Sequence, residues 1–314
     1  AIKPRIMTLA VEIASASVAA LVIVAVSAIV ERLGPVVGGV LGCVPHVAVV
    51  GSVGFILQTA SSDEFRIAML SMPMGMFCNS LFFLGVRLAA MLPFCQANAS
   101  QARLALCMAC GCLCYGGSLA AIMLGLRPKE QSMTMAWIAA AAAFVLELLV
   151  GLLLMYLSRC QRNTGLAPKS SCKVLMGRGI GTFCVMLAAM VLARSLPALA
   201  GIVANLPLVS GMVISFLWLG YGEDVVVRAL GPMTIGMLSA AAYAMFASEL
   251  MLLWHPAVGC VVSWLVSIAV ITKPTLMILQ RIDDNSKEKE PQEVAYDPAK
   301  ARSEPSSEES SSSC

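Results

Sequence analysis

Glu147 is the residue of this chain that most demands a chemical explanation. It follows the run Ala136-Trp137-Ile138-Ala139-Ala140-Ala141-Ala142-Ala143-Phe144-Val145-Leu146, and apolar residues continue beyond it. A carboxyl group at such depth must be neutral or paired, and an ionisable group inside an apolar span is a functional candidate by default. Two roles fit: coupling a proton to a transport step, or pairing with a cation such as Arg87. His46 makes a similar claim. It directly follows Pro45 in the middle of another apolar run. A proline there frees backbone carbonyls around Leu41 and Gly42, which could coordinate a cation or a polar solute. Asn205, two residues before Pro207, and Ser210, three after it, offer an amide and a hydroxyl in a third such run. The bland alternatives are a hydrogen-bonded structural histidine and an asparagine tying two helices together.

Other constellations carry less. Cys107, Cys110 and Cys114 share one helical face, with Cys112 off it, but no histidine stands near and no metal site is expected. Met69, Met72, Met74 and Met76 could suit a soft metal, yet methionine is an ordinary gap-filler. No P-loop, dinucleotide loop, nucleophile elbow or zinc-protease motif is present, so no enzyme and no cofactor are expected. A lipid-acting enzyme working through His46 lacks a second catalytic group.

The elements that must position these residues repeat. Gly34-Pro35-x3-Gly39-x5-Pro45 and Leu196-Pro197-x3-Gly201-x5-Pro207 are separated by 162 residues. The same shift sets Arg66 on Arg228, each after an acidic pair, Asp63-Glu64 and Glu223-Asp224. It also sets Arg87 on Glu249, which suggests a gating pair across the axis of a duplicated bundle. Identity over 33–66 is only six positions, so the weight lies in the coincidence of two prolines, a glycine and a charged loop. Broken helices at matching places in two halves point to a transport site at mid-bilayer.

Composition agrees. The chain of 314 residues is 59% hydrophobic and 12% charged, with a mean hydropathy of +0.85, which suits a bilayer rather than water. Nine apolar spans are expected, at roughly 8–30, 34–58, 64–92, 101–125, 133–157, 174–193, 197–220, 224–253 and 256–280. The first reads as a retained helix rather than a cleaved signal. Spans 1 and 6 open the two copies, and five crossings separate them, so the second copy enters from the opposite side. The fold class is therefore all-α and polytopic, an inverted repeat of four, one and four helices with spans 2 and 7 discontinuous. The organisation is 1–130, first repeat; 131–173, linking helix and basic loop; 174–282, second repeat; 283–314, an acidic serine-rich tail. That tail holds nine acidic and four basic residues and too few large apolar ones to fold, so disorder is expected.

Lys and Arg in the loops favour a cytoplasmic 5–6 loop (Arg159, Arg162, Lys169, Lys173, Arg178) and a cytoplasmic C-terminus. This orientation leaves the Asn98-Ala99-Ser100 sequon on the cytoplasmic side. The basic residues are spread over loops rather than gathered in a patch, so nucleic acid is not an expected partner. Expected partners are the lipid bilayer, a small solute or ion, and a protein for the tail.

The string Glu31-Arg32-Leu33-Gly34-Pro35-x2-Gly38-Gly39-x4-Val44-Pro45 resembles a pattern in uncharacterised microbial multi-span membrane proteins, written approximately E-R-F-G, a pair of glycines, then L-P. The likeness covers spans 1–3 and, more weakly, 6–8, where Arg194-Ser195-Leu196 replaces the Glu-Arg-Leu-Gly start. It implies a multi-span membrane fold and no particular activity. The four-one-four plan is also similar to that of inverted-repeat transporters of the drug/metabolite type, by analogy of architecture alone. The expected function is secondary transport of a small polar solute or ion by alternating access. The site would lie between spans 2 and 7, built from Pro45, His46, Gly42, Asn205, Pro207, Ser210 and Glu147. The alternative is a membrane scaffold acting through its basic loop and acidic tail.

Overall fold

The computed structural model describes residues 2–30, 45–93, 99–126, 132–158, 172–193, 196–278 and 281. The motif residues 34–44, among them Gly42, the basic loop 159–171 and the tail 283–314 lie outside the described residues. All regular structure among the described residues is helical. The reason is general: a chain this apolar must satisfy its backbone internally when water is absent, and a helix does so within one segment.

In chain order the helices are α1 (Ile2–Val30), α2 (His46–Gln58), α3 (Ser62–Leu70), α4 (Met72–Met91), α5 (Ser100–Leu126), α6 (Met133–Ser158), α7 (Cys172–Ala193), α8 (Pro197–Val203), α9 (Leu208–Tyr221), α10 (Glu223–Leu253) and α11 (Pro256–Ser267). A π-helical turn, Ile268–Thr272, prolongs α11. The contacts divide the chain into Ala1–Leu276, which holds all of α1–α11, and Met277–Cys314, of which three residues are described. Six helical stretches among the described residues are long and apolar enough to cross a bilayer: Ser62–Met91, Ser100–Gly125, Met133–Ser158, Leu175–Ala193, Glu223–Leu253 and Pro256–Ile278. Shorter apolar helices, Glu12–Ala25, Ala48–Gln58 and Ser210–Gly220, fall on the other three expected spans.

Local sequence explains the breaks. Ser61 accepts the Glu64 amide while the Glu64 carboxylate accepts the Ala60 amide at 2.8 Å, a capping box that starts α3. Asp63 and Glu64 in that first turn, like Glu223 and Asp224 at the start of α10, lie at the positive end of a helix dipole. Pro73 has no amide to continue the ladder, and the chain steps from α3 to α4 at Ser71, whose hydroxyl donates to the Ala68 carbonyl at 2.8 Å. Pro232 sits inside α10, where Thr234 donates to the Leu230 carbonyl at 2.8 Å. Gly222 takes φ +87° between α9 and α10, a conformation that side chains with a Cβ resist.

The α3–α4 pair and α10 form the centre. In the most apolar window of α10, 94% of the residues are buried, against 17% for α5 and for α11, so α10 lies inside the bundle while α5 and α11 face outward. Leu113 and Leu124 of α5 are among the large apolar side chains left on the outside. The central helices run antiparallel: Arg66 meets Glu249 at one end, and further along Asn79 meets Met237. Helix α6 packs on both α4 and α10. Helix α5 packs on α4 as α11 packs on α10; α2 packs on α1 as α9 packs on α7; and α1 lies against α7.

Candidate functional site

The second broken span is well defined. Helix α8 ends at Val203, the chain turns through Ala204 and Asn205, and α9 begins after Pro207. The turn rests on the α3–α4 break. The Asn205 amide donates to the Gly201 carbonyl at 2.8 Å and reaches the Met72 carbonyl at 3.4 Å. A Cβ on Gly201 would run into the Ala68 carbonyl and the Ser71 hydroxyl, so glycine is required for this approach. One turn into α9, Ser210 donates to the Asn79 carbonyl oxygen at 3.2 Å, and the Asn79 amide reaches the Met237 sulfur at 3.3 Å. Asn79 thereby joins α4, α9 and α10.

Glu147 approaches the same centre from α6. It is fully buried, and neither carboxyl oxygen has a hydrogen-bond partner among the described residues. The buried residues of α6, Ala136, Ala140, Ala143, Glu147, Gly151 and Leu154, form one face, so the carboxyl belongs to the stripe that packs inward.

The other broken span is described only from Pro45 onward. Pro45 and Pro207 play the same part: each precedes the first residue of a helix, α2 or α9, with φ −72° in both. His46 is half-buried, its ring 6.5 Å from that of Trp264 on α11. Asn205 and Ser210 instead meet α4, at Met72 and Asn79. The expected site between spans 2 and 7 includes Gly42, outside the described residues, and its described members are divided in this way. The described parts of both spans pack on α7 and α10, and the polar groups converge on Asn79, Ser210 and Asn205 at the central crossing, without His46.

The expected Arg87–Glu249 gate is also corrected. Glu249 pairs with Arg66 at 2.9 Å, while Arg87 donates to the Leu157 carbonyl at 2.7 Å and feels Glu223 at the far end of α10. The antiparallel register of α4 and α10 puts Arg87 near the level of Arg228, roughly 30 Å from Glu249 along α10. Each end of the centre carries its own ion pair. Arg66–Glu249, with Asp63 at 3.3 Å from Arg66, joins α3 to α10; Arg103–Glu223, at 2.6 Å, joins α5 to α10. Beside the first pair a cavity of about 230 Å³ opens at the α2–α3 turn, lined by Ile56, Thr59, Ser61, Ser62, Phe65 and Leu252 among others.

Sequence reading missed three features. Asn79 was legible as an amide in an apolar span, but nothing marked its neighbours. Ser52, Tyr243 and Cys260 form a buried knot between α2, α10 and α11, with the two oxygens 2.6 Å apart and Tyr243 Oη 3.2 Å from Cys260 Sγ. Glu12 is a second buried carboxyl, in α1. The cysteines of α5 divide: Cys107 faces the core, while Cys112 and Cys114 face outward. Among the described residues no three His, Cys, Asp or Glu side chains gather into a metal-binding group.

Apolar helices of spanning length around a buried polar centre define an all-α integral membrane protein. No family model matches the chain, and neither a curated protein nor a solved structure matches it.

Proposed function

We propose that this protein is a secondary transporter of a small polar solute or ion, working by alternating access of two inverted halves around the α3–α4/α10 crossing. The observation that carries the reading is that crossing. The deeply buried α3–α4 stretch and α10 run antiparallel, each bears a proline inside its length, Pro73 and Pro232, and the broken α8–α9 segment rests beside them.

An internal inverted repeat gains support from register. Shifted by 162, α2 (46–58) falls on 208–220, against α9 at 208–221; the stretch 62–91 falls on 224–253, against α10 at 223–253. The packing partners named above correspond under the same shift, and α6 packs on both central helices, as an unpaired span would. A rotation about an axis in the membrane plane produces these correspondences, and the unwound segments beside the axis supply the polar groups of the site.

In this reading Asn79, Asn205 and Ser210 offer a solute uncharged donors and acceptors, and Glu147 supplies a buried carboxyl. The ion pairs Arg66–Glu249 and Arg103–Glu223 close the two ends. Partly exposed pairs contribute only about 0–1 kcal/mol each, which suits gates that must open. The nine-span threading puts the partners of each pair on one side of the membrane: the 2–3 and 8–9 loops at one end, the 3–4 and 7–8 loops at the other. The cytoplasmic C-terminus stays part of this reading, resting on the Lys/Arg bias.

The test is reconstitution in proteoliposomes. Uptake of a panel of radiolabelled amino acids, sugars, nucleosides and organic acids is compared for wild type, Asn79→Ala, Ser210→Ala and Glu147→Gln. The reading expects at least one solute to accumulate in wild type and to fall about tenfold or more in Asn79→Ala, the loss of one to two hydrogen bonds at a binding site. No uptake by wild type, or equal uptake by all four proteins, overturns it. Loss of cellular function on deleting 283–314, with substitutions at the crossing silent, would favour a scaffold acting through the tail.

A further inference from the structure

We propose that Glu147 is a proton-binding site placed on the pseudo-twofold axis between the two halves, and that the proton is the ion coupled to transport. The inference rests on the carrier reading above and names its coupling ion.

Placement comes from the packing of α6. Against α10 it runs antiparallel: Ser158 donates to the Val227 carbonyl, Gly231 faces Met155, and Gly151 faces Thr234 and Ile235. One further turn brings Glu147 to the level of Ser239. Against α4 it runs parallel: Arg87 reaches the Leu157 carbonyl, and Met74 shares a cluster with Ala143. That register sets Glu147 at the level of Phe77 and Cys78. Residues 77 and 239 are 162 apart, the offset of the repeat, so the carboxyl stands at the level where the rotation axis passes between α4 and α10. A group on the axis is presented alike to both halves and to both sides of the membrane.

The ligand class follows from the surroundings. Hard cations take about six or more oxygen ligands. The two oxygens of Glu147 are fully buried and accept no hydrogen bond, and no group of three His, Cys, Asp or Glu side chains forms among the described residues. A proton needs one lone pair and no cage. It also removes the several kcal/mol that a bare carboxylate costs inside a membrane. The other titratable groups on the packed elements stand at other levels or hold partners of their own: Tyr243 of α10, one turn beyond Ser239, bonds Ser52 and Cys260, and Asp63, Glu64 and Arg66 of α3 lie about 20 Å away along the helix. Helix α4 offers Cys78, whose thiol engages Ser118 of α5. From Thr234 to Ala242 helix α10 has no titratable group, and α8 has none. Tyr115 and Cys107 belong to α5, which packs on α4, and Arg87 is about 15 Å further along α4.

The step is a simple transfer. With both ends closed the site holds the carboxylic acid. When one end opens, water enters and takes the proton as hydronium, leaving the carboxylate. Reprotonation from the other side completes the cycle, and no other bond changes.

The full-length protein in liposomes is treated with dicyclohexylcarbodiimide, which attacks protonated carboxyl groups in apolar surroundings, and adducts are mapped by mass spectrometry. The expected result is an adduct on Glu147 whose yield falls about tenfold between about pH 5 and pH 9 and is indifferent to sodium. An infrared band of a protonated carboxyl should disappear in Glu147→Gln, a variant that mimics the neutral form and should fold. Absence of the adduct at every pH, a yield that ignores pH, or protection by sodium at fixed pH overturns the proton site and leaves the carrier reading standing. A pH-dependent adduct in a protein that moves no solute and no proton supports the proton site and overturns the carrier reading.

Discussion

Asn79 shows how much one side chain can organise. Its amide touches Met237 of α10 and its carbonyl oxygen accepts from Ser210 of α9, so Asn79→Ala strands two partners at once. A buried group left without its partner costs about 1–3 kcal/mol, whereas Ser210→Ala removes one donor and should cost less. Thermal unfolding in detergent should rank wild type above Ser210→Ala and Ser210→Ala above Asn79→Ala; the reverse order would deny Asn79 its central place. The Ser52–Tyr243–Cys260 knot makes a separate prediction. Tyr243→Phe removes the hydroxyl shared by two partners and should destabilise by about 1–3 kcal/mol. Because the knot lies away from the crossing, transport per folded molecule should persist, and the melting temperature and uptake are measured side by side.

Among the elements, the α8–α9 segment sets the most specific demand. Gly201 meets the α3–α4 break so closely that Gly201→Val must push α8 away from Ala68 and Ser71. Overpacking of this kind costs about 1–3 kcal/mol, and here it also moves Asn205 off the Met72 carbonyl. Reduced stability together with lost uptake is the expected outcome; Gly201→Val behaving like wild type in both would place α8 elsewhere. Pro207→Ala acts differently, because restoring an amide lets α8 and α9 approach one continuous helix. Uptake should drop with little change in melting temperature.

For the whole molecule, on the carrier proposal, the two ion pairs are the ends that must open in turn. Arg66→Glu and Glu249→Arg each set like charges together and should depress uptake, while the double swap restores the pair and should recover it. Failure of the double variant to recover, with both proteins folded, would remove this pair as a gate. Disulfide trapping gives a complementary readout: cysteines replacing Arg66 and Glu249, or Arg103 and Glu223, should arrest turnover when oxidised and release it on reduction. Free turnover with both ends locked would be incompatible with alternating access.

By itself the sequence determined the class. Apolar runs of spanning length and the proline breaks can be read from a chain because bilayer thickness and backbone hydrogen bonding act locally, on every segment alike. It also singled out Glu147 as a carboxyl set among alanines, and α6 buries it completely. Only the tertiary structure decided who meets whom. Glu249 turned to Arg66 rather than Arg87, Glu12 was enclosed, and Asn79 rather than His46 stood beside Ser210. Those pairings depend on helix direction and rotation, which follow from how small residues such as Gly201 let one backbone approach another. A side chain's neighbours across a bundle are a property of that packing and leave no mark at its own position in the chain.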